Sequence, residues 1–186
     1  MMQRSPGWSW AVSLVLAIGL GSFASPAAAK IKVGEKPPVI SLKEPEGALV
    51  KGGPWDSKSL KGKVHILFYV DPDEKDLNES LEAELKKNEF PEDKFASVAV
   101  INMKATWLPN SLIAMNLNSK QKEYPRTIYI KDFKKVFVDK WGLTDDSYHV
   151  VMLDKEGIVR FSQAGTLKPD QVKAFIALIQ EYLAKE

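Results

Sequence analysis

Seven consecutive residues, Val64–Val70 (VHILFYV), form an apolar, β-branched and aromatic run broken only by His65. A strand of that composition has no face suited to water. It belongs inside a sheet that is covered on both sides. Asp71-Pro72-Asp73 ends the run. Leu77, Leu81 and Leu85 then recur at i, i+4 and i+8, the stripe of an amphipathic helix ending near Asn88. Asp73, Glu74 and Asp76 stand where negative charge suits a helix N-terminus. Phe95–Met103 reads as a second buried strand, so the chain must build an α/β layer around a parallel strand–helix–strand unit.

The remaining segments fill in that layer. Val39–Leu42 is short and extended, and Gly47 and Gly52-Gly53-Pro54 flank Ala48–Val50, which places a hairpin near the N-terminus. A helix is expected over Pro109–Glu123 through Leu112, Ile113 and Leu117, and a strand over Thr127–Ile130. Lys134–Gly142 fits both periods, because Val136, Phe137, Val138 and Trp141 suit a strand or a short helix. Tyr148–Leu153 and Ile158–Ser162 are strands joined by the turn Asp154-Lys155-Glu156-Gly157. Pro169 opens a last helix with Val172, Phe175, Ile176, Ile179, Tyr182 and Leu183 on one face. The fold class is α/β, a mixed sheet flanked by helices with an N-terminal hairpin.

Residues 1–29 carry a different signal. Arg4 precedes the apolar run Trp10–Leu20, and Ser22–Ala29 ends in Ala27-Ala28-Ala29. That order of basic, apolar and small residues is expected of a cleaved secretory signal peptide. An apolar core of about 11 residues is short of the ~20 that a membrane anchor needs. Residues 30–186 then form a single domain, expected in the periplasm with no membrane span after cleavage.

The chain has no cysteine and two histidines. That excludes thiol nucleophiles, disulfides, Cys-based metal sites and haem attachment through thioethers. It also disfavours a multi-histidine metal centre. Lys and Arg number 26 against 24 Asp and Glu, a balance that does not call for nucleic acid. Neither a cofactor nor a metal is assigned.

The order of elements resembles the thioredoxin-like fold in its peroxiredoxin/TlpA-like form. The matching stretches are Gly62-Lys63-Val64 entering the central strand, Tyr124-Pro125, Trp141-Gly142-Leu143, and Met152-Leu153-Asp154 with Gly157. LKGKV (60–64), INM (101–103), KEYP (122–125), VDKWGL (138–143), VVMLDKEG (150–157) and AGTL (164–167) are similar to the YtfJ family of small periplasmic proteins. The resemblance implies a thioredoxin-like domain without an established activity. In TlpA-like relatives a C-x-x-C motif opens the helix after the central strand. Alignment by the strand end puts Asp73 and Asp76 at those positions, and counting back from Leu153-Asp154 puts Tyr148, followed by His149, where the facing cis-proline stands. Without a thiolate, disulfide exchange and peroxide reduction by the family route are chemically closed.

Asp73, Asp76, Tyr148 and His149 are therefore the candidate remnants of a redox corner. Asp71, Asp73, Glu74 and Asp76 could hold a hard cation, but Lys75 stands at the third ligand position of a calcium loop and Asp76 at its obligatory glycine. Helix capping explains these acids without a ligand, with Asp73 expected as the cap. A carboxylate near His149 could orient its ring, yet no nucleophile or polarising group accompanies it, so no residue is assigned as catalytic. Most aromatics read as core. Trp107-Leu108-Pro109 falls in a loop after a strand and is the candidate contact loop. The function expected is that of a non-redox periplasmic binding or adaptor protein for an unidentified protein or small ligand. The alternatives are a metal- or His/Asp-dependent enzyme at the old corner, and a redox-inactive chaperone.

Overall fold

The computed structural model describes residues 30–185; the signal-peptide reading of residues 1–29 lies outside them. The central run forms β4 (Val64–Val70), every residue of which is buried. It lies between β5 (Phe95–Asn102), which is parallel to it, and β7 (Tyr148–Leu153), which is antiparallel. With β2 (Gly47–Leu49), β6 (Thr127–Asp132) and β8 (Val159–Ala164) this gives a six-stranded mixed sheet in the order β2-β6-β5-β4-β7-β8. Near the N-terminus β1 (Ser41–Leu42) pairs antiparallel with β3 (Trp55–Asp56), so the partner of the 39–42 segment is Trp55–Asp56 and not Ala48–Val50. The strand between them leaves to pair with β6 at the sheet edge, where Gly47 packs so tightly that a Cβ would meet the Lys131 carbonyl oxygen at 2.5 Å.

Alternation along β4 divides the core in two. Val64, Ile66, Phe68 and Val70 pack with α1 (Glu79–Asn88), α2 (Asn110–Glu123) and α4 (Pro169–Ala184). Leu67 and Tyr69 pack on the other face with α3 (Val136–Trp141) and the segment from Ile40 to Leu60. Segment 134–142 becomes a helix because fully buried Asp132 ends β6 beneath it. Its carboxylate accepts from the backbone N–H groups of Lys134, Val136 and Phe137 at 3.0–3.1 Å, satisfying donors that a helix start leaves open. Trp141 Nε1 donates to the Pro38 carbonyl at 2.7 Å and ties α3 to the N-terminal segment.

Two of the sequence stretches shared with the resembled family have purely structural work. Buried Asp154 accepts from Glu156 N, Ile158 N and Arg160 Nε, which builds the β7–β8 turn. Asn78, fully buried ahead of α1, donates to the Gly165 carbonyl and accepts from Leu167 N at 2.8 Å. It thereby fixes the 164–167 turn against the start of α1.

Candidate functional site

The acidic stretch after β4 does not start the long helix directly. Pro72–Glu74 is one turn of 3-10 helix, and α1 begins only at Glu79. Asp71, not Asp73, is the cap: its Oδ1 accepts from Asp73 N at 2.9 Å. The expectation for Asp73 is corrected for a simple reason. Pro72 occupies the first position of the turn, so the residue before it supplies the capping oxygen. The Asp73 carboxylate faces outward and accepts from Thr106 Oγ1 at 3.1 Å, which joins the corner to the 104–109 loop. Asp76 is exposed and paired with its neighbour Lys75 at 2.7 Å. In the loop, Leu108 is half-buried, Pro109 exposed and Trp107 86% exposed.

Tyr148 and His149 part company across the sheet, as strand neighbours must. Tyr148 is buried on the helical face, edge-on to Phe68 at 5.7 Å, and its hydroxyl donates to Glu82 Oε1 at 2.7 Å. Burial, reinforced by that carboxylate, holds the phenol far above its ordinary pKa. His149 lies opposite Tyr69 on the other face and is 8% exposed. The expectation that both residues face the end of the corner helix holds for Tyr148 alone.

His149 Nε2 is 2.9 Å from Ser162 Oγ, the separation of a nucleophile and its base. The polarity is the reverse of what that chemistry needs. Nδ1 accepts the Thr144 backbone N–H at 3.2 Å, so the proton of the neutral ring is on Nε2 and is donated to Ser162. Burial also pushes the imidazole down to about 4. The pair holds β7, β8 and the 142–147 loop together. His65, at the far end of β4 opposite Leu153, hydrogen-bonds through Nδ1 to the Lys63 carbonyl and does not meet His149.

A concavity opens on the helical face. A groove of about 1010 Å³ runs between α1 and α2 over β4, β5 and β6. Phe68, Val70, Ala99 and Ile101 in its floor each keep 7–8% of their surface, whereas Leu67, Tyr69, Val98 and Val100 on the reverse of the same strands keep 0–1%. Pro72, Asp76 and Leu108 line the end at the corner, Tyr148 and Glu82 the interior, and Tyr124, Glu123 and Arg126 the far end. Of the residues singled out in the sequence, Asp76, Leu108 and Tyr148 meet here, Asp73 braces the adjoining loop, and His149 is on the sealed side. Among the described residues no group of three or more His, Asp or Glu side chains is placed to hold a metal ion, and no helix is long and apolar enough to cross a membrane.

The family model for bacterial proteins of unknown function named YtfJ_HI0045 matches residues 28–182. The chain belongs to that family. It is 31% identical over 133 residues to the uncharacterized protein YtfJ of Escherichia coli K12, covering 69% of this chain and 72% of the relative. Among solved structures it is similar to a candidate thiol:disulfide interchange protein, DsbE, from Chlorobium tepidum. That match has a TM-score of 0.60 at 18% identity, over 83% of this chain and 100% of the other. A thiol peroxidase from Chromobacterium violaceum matches with a TM-score of 0.59 at 14% identity, over 84% and 91%. The fold is thioredoxin-like, and in this family member it is free of cysteine.

Sequence reading missed the groove itself and with it Glu82, Tyr124 and Tyr129. A signal was present in β5. Ser97 and Ala99 alternate with Val98 and Val100, so the middle of one face, between Phe95 and Ile101, carries small side chains while the other carries full-sized ones. Small residues beneath two helices leave room that large ones would fill.

Proposed function

We propose that the protein is an exported, non-redox binding or adaptor protein of the periplasm, and that the α1–α2 groove is its contact surface. The observation that carries this reading is the incomplete cover of one sheet face. An open apolar floor between two helices, rimmed by charged side chains, has the form of a recognition groove. It adjoins the corner where oxidoreductases of this fold carry their thiols, and this chain has no cysteine there. The rival reading, an enzyme using Asp73, Asp76, Tyr148 and His149, draws no support from the geometry, since His149 and Tyr148 face opposite sides of the sheet.

Site-specific photo-crosslinking in the native envelope tests the reading. A crosslinker at Asn116, in the α2 wall, is expected to give discrete adducts that disappear when Ala99→Leu fills the floor. The same group at exposed Lys61, outside the groove, is expected to give none of them. Identical adducts from both positions, or adducts indifferent to Ala99→Leu, would refute the groove as the contact surface. N-terminal sequencing of the same preparation is expected to begin at Lys30; an intact Met1 form would refute export by cleavage.

A further inference from the structure

The groove is apolar at its floor but not neutral in its chemistry. Three phenols, Tyr124, Tyr129 and Tyr148, line it together with Glu82 from α1 and Glu123 from α2, carboxylates from opposite walls. Glu82 accepts the Tyr148 hydroxyl, and a carboxylate has more acceptor sites than one phenol fills. Tyr129, half-buried in the floor, is pushed up to about 12 by burial and then by the negative charge of Glu82 and Glu123. Aromatic faces beside carboxylates form an environment that favours a cation with an apolar stem.

The protein's own cations show that preference. Lys120 and Lys86, again from opposite walls, both sit over the Tyr124 ring, at 5.1 and 5.9 Å from its centroid. The other lining cations have partners at the rim: Lys75 pairs with Asp76 at 2.7 Å and Arg126 with Glu92 at 2.8 Å. Lys120 also lies 3.8 Å from Glu123, but this pair is more than half exposed and exchanges readily with an incoming charge. None of these cations pairs with Glu82 or stacks on Tyr129 or Tyr148.

We propose that the groove binds an apolar peptide segment of an exported protein through one lysine or arginine side chain, seated over Tyr129 between Glu82 and Glu123. This rests on the binding reading above and adds the chemistry of the partner. A volume of about 1010 Å³ exceeds what one side chain fills, so the flanking apolar residues of the segment cover Phe68, Ala99 and Ile101 while the cation takes the acidic centre. The strands of the floor are paired on both edges, so the segment lies across them without adding a strand.

Calorimetric titration of the purified protein with short capped alanine–leucine peptides tests this. The peptides differ only in a central lysine, methionine or glutamate. The lysine peptide is expected to bind about tenfold more tightly than the methionine peptide, with the glutamate peptide weakest. The Glu82→Gln/Glu123→Gln double variant is expected to bring lysine and methionine peptides within about twofold, and Ala99→Leu to weaken both. Should the double variant not fold, the lysine preference of the unaltered protein is expected to shrink as salt rises. Equal binding of lysine and methionine peptides overturns the cation inference and leaves the groove reading standing. A lysine preference that survives both Gln substitutions or is indifferent to salt also overturns it. Absence of any peptide binding overturns the inference, and with silent crosslinking at Asn116 it removes the groove reading as well.

Discussion

His149 shows how far a single residue can differ from its sequence promise. An imidazole that the resemblance places near Asp71–Asp73, beside the residue aligned with the cis-proline, is the base of the enzyme alternative, although no residue is assigned as catalytic. The structure instead seals it against Ser162 and the Thr144 N–H, with the ring neutral. Alternation along β7 puts Tyr148 and His149 on opposite faces, but with both faces covered it does not say which face each takes. What the sequence could not show was which loop closes over the ring. A pH dependence follows. The folded imidazole titrates at about 4 and the unfolded one near 6.5, so between these values the unfolded chain binds more protons and stability falls as pH falls. The full stability is present above pH 6.5, and the loss is on the order of 3 kcal/mol once pH has fallen to the folded value. Buried His65 is shifted in the same direction and adds to the slope. Buried Asp71 and Asp132, raised by burial, act in the opposite sense around and above the ordinary carboxylate range. Urea denaturation is expected to show His149→Gln losing less stability than the unaltered protein between pH 7 and 5. Parallel losses in the two proteins would show that the ring is not held neutral.

At the level of elements, hydrophobic period carried most of the reading. β4, β5, α2, β7 and α4 lie where their apolar spacing puts them, because each buries its own face locally. Two features escaped for a common reason: they depend on partners remote in sequence. Pairing of β2 with β6 joins Gly47 to Asp132, across more than half of the domain, and segment 134–142 is helical because Asp132 offers its carboxylate to three backbone donors. The lead into α1 was misread at the scale of one turn. Several acids in a row all satisfy the rule for helix starts, and only the position of Pro72 selects Asp71 as the cap. The two aspartates therefore separate experimentally. Asp71→Ala removes the acceptor of Asp73 N and is expected to cost about 0.5–2 kcal/mol. Asp73→Ala removes one exposed bond to Thr106 and is expected to cost less than about 0.5 kcal/mol. Chemical denaturation of both variants at neutral pH checks this; a larger loss from Asp73→Ala would reverse the assignment.

For the whole molecule, the two faces of the sheet are unequal, and that asymmetry links stability to the proposed binding. On one face α3 and the N-terminal segment seal Leu67, Tyr69, Val98 and Val100. On the other, α4 is anchored by Val172, Phe175, Ile176 and Ile179, with Phe175 against Phe161 at 4.6 Å. By contrast α2 buries only Ile113, Leu117 and Gln121, and it presents Leu112 and Met115 to solvent. Helices held by few buried apolar side chains open locally well below the free energy of global unfolding. Amide hydrogen exchange is therefore expected to be much faster in α2 than in α4 and β4, and α1, which fully buries only Leu81, is expected to exchange faster than α4 as well. Exchange in α2 as slow as in α4 would show that the groove is a rigid channel with fixed walls. The expected order gives the missing cysteines a physical context. A thiol site needs a fixed pair of sulfurs at the corner, whereas a groove with one yielding wall can close on a segment, and closure would slow α2 exchange when a lysine-bearing peptide is bound.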